Sequence, residues 1–313
     1  MNRNRHMQYR RSVYRKRRIR VIIITTAIVL ALLAAIFLIL GNVLFDKANG
    51  DETETDKVDT QTVKDNTLPS DSIRQIKATS ISMDGTINSI SSALDSAKSD
   101  GFDSISVMMN APDGKLTHYS DIADRLKYSS FNDVKVSVNT LMERAKARSL
   151  YVSGVYYVSA FSESDELARS VAMAELTTVI SESLRAGLDE VILIAPDITE
   201  AQYSEVTHLV SEIRSFVPNA VIGFALPESL VQSKDANIID TLANEVSFLA
   251  LDLTKYGDTD PLVFAKERVG SMLYSLLRYK MRVIIPAFEK SEEQSSITSV
   301  VESAGISNWQ IVK

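Results

Sequence analysis

The sequence predicts an α/β protein, a (β/α)8 barrel carried on a single N-terminal transmembrane helix. Three observations predict it. Eight short apolar segments rich in β-branched residues recur over residues 76–313. Stretches of helical periodicity separate them, and the alternation fills about 240 residues, the length typical of such barrels. Ahead of it, residues 21–45 form one apolar run without charge or proline.

The chain opens on a basic tail, residues 1–20, holding Arg3, Arg5, Arg10, Arg11, Arg15, Lys16, Arg17, Arg18 and Arg20 and no acid. The run that follows, from Val21 to Phe45, is 25 residues long. A helix needs roughly 20 apolar residues to cross a bilayer. Positive charge stays cytoplasmic, so the tail is expected in the cytosol and everything after Phe45 outside. A cleaved signal would have an apolar region of about 7–15 residues and a small-x-small cleavage site. Phe45-Asp46-Lys47 offers no such site, so the run reads as an uncleaved anchor. Residues 46–75 are acidic, rich in Thr and Asp and poor in large apolar side chains. Such a segment cannot bury enough surface to offset its ordering entropy, and it is expected to be a disordered stalk.

The barrel is expected over residues 76–313. Strands are predicted at 76–83, 103–110, 151–160, 190–196, 220–227, 248–254, 282–288 and 308–313. Several, such as EVILIAP and RVIIPAF, are almost continuously hydrophobic, as strands covered on both faces must be. Helices are predicted at about 86–99, 138–148, 164–186, 199–217, 236–245, 260–279 and 292–303. In the fourth of these, Tyr203, Val206, Leu209, Val210, Ile213 and Phe216 form one apolar stripe. An open doubly wound sheet would show a glycine-rich turn after its first strand. Met83-Asp84-Gly85-Thr86 stands there instead, without GxGxxG.

Charge and composition narrow the function. Beyond the tail the chain has 25 Lys+Arg against 40 Asp+Glu, about −15. An acidic domain excludes nucleic acid as partner, because phosphates need a basic face. The tail is expected to set topology and touch anionic lipid of the bilayer. With no cysteine, disulfides, thiolate metal sites and cysteine nucleophiles are all excluded. The basic cytosolic tail and cysteine-free exported domain read as a bacterial envelope protein.

Working residues of barrels lie at the C-terminal ends of strands. Here those ends bring Asp84, Asp113, Asp197, Glu228, Asp258 and Glu289, an acidic rim. Helix capping and turn formation account for such acids equally well. Asp252 differs, because it lies inside the sixth strand and can point into the barrel, where an acid needs a partner or a raised pKa. Tyr156 and Tyr157 on the third strand are candidates to stack on a sugar ring, although an aromatic strand also serves as core. No P-loop, G-x-S-x-G elbow or histidine cluster is present, and no metal or other cofactor is expected.

Four segments resemble a family of glycoside-hydrolase-like barrels of the bacterial envelope. They are Ile76-Lys77-Ala78-Thr79 and the helix after it, Gly101 to Val107 with Pro112-Asp113-Gly114-Lys115-Leu116-Thr117, Leu150-Tyr151-Val152, and Gly187-Leu188-Asp189-Glu190-Val191. The resemblance implies a barrel of that kind over residues 76–313. It also implies where this chain departs. Met108 and Asn110 stand where the family has Asp and Lys, Val155 where it has Arg, Ile194 where it has an acid and Asp197 where it has Arg. The expectation is a degenerate, non-catalytic barrel that binds cell-wall polysaccharide or an envelope protein. An active retaining glycosidase is the alternative, with Asp197 and Glu289 as the two carboxylates. A structural envelope scaffold is the third reading.

Overall fold

The computed structural model describes residues 73–128, 136–196 and 198–313. The tail, the run from Val21 to Phe45 and nearly all of the predicted stalk lie outside the described residues. Among the described residues no helix is long and apolar enough to cross a membrane.

Eight parallel strands close into a barrel in chain order, β8 pairing with β1. They are β1 Lys77–Ile81, β2 Ser104–Met108, β3 Tyr151–Tyr157, β4 Glu190–Ile194, β5 Ile222–Leu226, β6 Phe248–Asp252, β7 Arg282–Pro286 and β8 Trp309–Val312. Each lies within its predicted segment. The helices between them are α1 Ile87–Ser99, α2 Asp121–Leu126, α3 Val138–Lys146, α4 Glu166–Arg185, α5 Tyr203–Phe216, α6 Glu228–Ser233, α7 Ala236–Glu245, α8 Pro261–Arg278 and α9 Ser291–Ser303. Two short helices, α2 and α6, were not predicted.

Helix starts follow local chemistry. Thr86, Ser120, Ser137, Asp165, Asp235 and Asp260 each accept a bond from a free backbone N–H of the helix they precede. Such a cap is worth about 1 kcal/mol. Glu182 on α4 adds a tertiary cap, accepting from the backbone of Asp121 at 3.1 Å and from the Ser120 hydroxyl. The stripe on α5 holds for Tyr203, Val206, Leu209, Val210 and Ile213, which are buried. Phe216 departs from it. At the last residue of the helix its side chain is 52% exposed, and the Arg185 guanidinium sits 5.6 Å above its ring.

Strand alternation sorts the core into two parts. Outward residues such as Ile105, Val107, Val191, Leu193, Leu249 and Leu251 pack under the helices. Inward residues Val155, Ile192, Ile194, Ala225, Phe248, Ala250, Ile284 and Val312 fill the barrel. Its N-terminal end is polar instead. There Arg282 and Glu190, both wholly buried, form an ion pair. Arg282 also donates to Asn308 Oδ1 at 3.0 Å and stacks 4.2 Å from the Phe248 ring, while Tyr151 donates to Glu190 at 2.9 Å. A buried ion pair and its hydrogen bonds therefore fill the base of the barrel.

Candidate site in the barrel mouth

Asp252 ends β6 with its side chain on the inward side, in step with Phe248 and Ala250. Its Oδ1 accepts from the Thr254 backbone N–H at 2.8 Å and the Thr254 hydroxyl at 2.7 Å. Burial pushes its pKa above the ordinary carboxylate range, and the neighbouring Glu228 charge pushes the same way. The Thr254 bonds and Lys255 oppose the shift without cancelling it. Tyr157 ends β3 and packs against the same inward cluster. Burial raises its phenol pKa, and the Asp252 charge adds to that.

Tyr157 is held by Asn110. The Asn110 amide accepts from the Tyr157 backbone N–H at 2.7 Å and donates to its carbonyl at 2.9 Å. The side chain extends the sheet by one rung where β2 has already turned away. Asn110 is only 1% exposed. The polar residue at this departure position therefore does structural duty, and no local sequence signal announces its distant backbone partner. Beside Tyr157 an open cleft of about 810 Å³ is lined by Asn110, Asp113, Ser159, Glu163, Glu175 and Leu176 among others. Asp252 lines a second depression with Lys255, Glu228 and Arg268.

Tyr156 corrects the expectation of a paired aromatic platform. Alternation turns it outward, where it is fully buried between barrel and α4. Its hydroxyl lies 2.7 Å from the Ser183 hydroxyl, whose oxygen is 3.5 Å from His118 Nε2. His118 is itself buried, bonded through Nδ1 to the Met109 carbonyl at 3.0 Å, and burial lowers its pKa to about 4. This cluster belongs to the barrel–helix interface.

The rim acids are mostly occupied. Asp84 accepts from Ser82 at 3.0 Å, Asp113 pairs with Lys115 at 2.8 Å, and Glu228 is ion-paired with Arg268. Asp258 is exposed. Asp197 lies outside the described residues. Glu289 is exposed in the turn ahead of α9, and it is not the helix cap the sequence suggested. Lys290 holds that position without a side-chain bond. Among the described residues no cluster of His, Asp and Glu could hold a metal ion.

Solved structures share this architecture. A Bacteroides thetaiotaomicron protein assigned as an α-L-fucosidase superposes with a TM-score of 0.55 at 11% identity, covering 84% of this chain and 91% of that one. The Thermomonospora fusca β-mannanase, in complex with mannohexaose, superposes with a TM-score of 0.50 at 10% identity, covering 76% and 78%. The shared feature is the (β/α)8 barrel. No protein-family model matches the sequence, and no curated protein matches it.

Proposed function

We propose that this chain is a membrane-anchored, extracytoplasmic (β/α)8 barrel whose mouth binds cell-wall glycan without cleaving it. The observation that carries the reading is that Asp252 and Tyr157, at the ends of β6 and β3, both stand on the inward side at the mouth of a barrel whose base holds a buried ion pair. A carboxylate with a free oxygen edge and a phenol ring offer a hydrogen-bond acceptor and a stacking face, which suit a polyol ring. Retaining hydrolysis needs two carboxylates about 5–5.5 Å apart. Asp113 and Glu228 have basic partners instead, and Met108, Asn110 and Ile194 fill positions where the resembled family is polar or charged. The fold shared with a β-mannanase and a protein assigned as a fucosidase supports a saccharide as ligand. The apolar run of residues 21–45 supports the anchor.

The test is co-sedimentation of the purified full-length chain with insoluble cell-wall polysaccharide, with released reducing ends measured in parallel. The expected result is binding without release, weakened about tenfold or more by Asp252→Asn, as loss of a charge-assisted hydrogen bond gives. Release of reducing ends that Glu289→Gln abolishes would replace this reading with the glycosidase. Wild-type protein left wholly in the supernatant would sink it. Deleting residues 21–45 should move the chain from the membrane fraction to the soluble one.

A further inference from the structure

The mouth of the barrel extends well beyond Asp252 and Tyr157. Eight strands about 4.8 Å apart and tilted by about 36° enclose a ring about 15 Å across. That is wider than any single sugar ring. Tyr157 ends β3, and the strand facing it across a ring of eight is β7. Beyond the end of β7 the chain carries Phe288, half-buried in the turn before α9. Its ring lies against that of Tyr256, with centroids 6.1 Å apart and planes tilted by 31°. Tyr256 follows Asp252 in the turn from β6 to α8. Both rings are backed by the core under the helices, so their orientation is held.

Phe288 walls a second open cleft, of about 690 Å³, with Leu262 at the start of α8 and Ile297 of α9. Asp260 and Glu292 bring carboxylates to its edge. A ring beside hydrogen-bond acceptors is also what Tyr157 presents at its cleft of about 810 Å³. Each hollow has the size of a small-ligand site. The ground between them is concave as well. Tyr157 pairs in register with Ile194, and Ile194 lines the depression that holds Asp252 and Lys255. Tyr256 comes next in the chain after Lys255. Arg268 of α8 lines that depression, while the first turn of the same helix lines the Phe288 cleft. The hollows therefore adjoin, from the end of β3 past Asp252 to the end of β7.

We propose that the ligand is an extended oligosaccharide laid across the mouth. It stacks on Tyr157 at one side and on the Phe288–Tyr256 platform at the other, with Asp252 bonding a hydroxyl between them. The inference rests on the glycan-binding reading above and adds its length class, several linked sugar units and not one. A monosaccharide would reach one ring and leave the other in water. An extended peptide fits less well, because it binds by adding to a free strand edge, and a closed barrel has none.

The test is isothermal titration calorimetry of the purified full-length chain with soluble fragments of the same cell-wall polysaccharide, sized from disaccharides upward. Affinity is expected to rise about tenfold or more with length, then level off once both platforms are reached. Phe288→Leu keeps an apolar side chain against Tyr256 but removes the ring face. It should weaken the longest fragments about tenfold more than disaccharides. Phe288→Tyr restores the ring and should keep the wild-type length dependence, which separates loss of the ring from loss of the fold. Asp252→Asn should weaken every fragment alike. Disaccharides bound as tightly as the longest fragments overturn the proposal and leave the glycan-binding reading standing. So does a loss in Phe288→Leu that is equal at every length, or no loss, or wild-type binding confined to the insoluble polymer. Wild-type protein that binds neither fragments nor insoluble polysaccharide removes both readings.

Discussion

Asp252 is held ionisable where the barrel mouth works against its charge. Its folded pKa stands above the unfolded one, chiefly through burial. The folded state therefore keeps a proton that the unfolded state has lost, and this group's contribution to stability falls as pH rises through the window above the ordinary carboxylate pKa. Asp252→Asn should accordingly raise the melting temperature at pH 7 and leave it unchanged near pH 3, while weakening glycan. Thermal melts at both pH values check this. A lower melting temperature at pH 7 would mean that the two Thr254 bonds outweigh desolvation. Asn110 carries a different prediction. Asn110→Ala strips partners from the Tyr157 backbone N–H and carbonyl, at about 1–3 kcal/mol for a buried unsatisfied group. Denaturant unfolding should show that loss, and glycan binding should fall with it as Tyr157 is released. The two residues also differ in how readable they were. Asp252 sits in FLALDLT, where strand alternation alone gives its inward direction. Asn110 is bonded to a backbone 47 positions away, and no local pattern carries that.

At the scale of elements, two packing details decide what the strands and helices tolerate. Gly223 lies on β5 beside Phe248 of β6, and a Cβ there would come 2.4 Å from the phenylalanine ring. Gly223→Ala should cost about 1–3 kcal/mol, the usual penalty for overpacking a filled core, read as a lower denaturation midpoint with unchanged slope. The β2–α2 connection is pinned by His118. Its folded pKa of about 4 lies below the unfolded value near 6.5, so the unfolded chain binds a proton first as pH falls. The stability this group supplies is complete above about pH 6.5 and lost on acidification to about pH 4, on the order of 2–4 kcal/mol. His118→Gln should flatten the pH dependence in that window relative to wild type, as denaturation midpoints across it would show. Strands such as β4 and β7 were legible because burial on both faces leaves a nearly continuous apolar, β-branched run, and the more polar β1 and β2 because they fall into the same alternation with helices. The short helices α2 and α6, of six residues each, were not, since they span too little chain to show a period. Phe216 was misread because periodicity extends a stripe past the point where the neighbouring element ends.

At the scale of the whole molecule, the base of the barrel holds a buried charge pair that sequence reading did not find. Glu190 and Arg282 stand 92 positions apart on β4 and β7, each in a run that is otherwise apolar. The sequence showed Glu190 only as part of a resemblance and Arg282 only as the first residue of a strand. In the fold they meet at the base of the barrel, joined by Tyr151 from β3, Asn308 ahead of β8 and the carbonyl of Arg74 before β1. Segments from both ends of the barrel domain thus bond to one guanidinium. Taking two charges out of water costs as much as their attraction returns, so the pair need not add net stability. Breaking it is another matter. Arg282→Met leaves Glu190 buried and unpaired and should destabilise the protein by about 3–5 kcal/mol. Glu190→Gln leaves the guanidinium uncompensated and should cost a similar amount. The double variant Glu190→Gln with Arg282→Met removes both charges and should be more stable than the sum of the single losses predicts, giving a coupling energy of about 0.5–3 kcal/mol in a denaturation cycle. Strict additivity would show that the two groups are stabilised separately, by Tyr151 and Asn308, and that the barrel closes through its hydrogen-bonded strands alone.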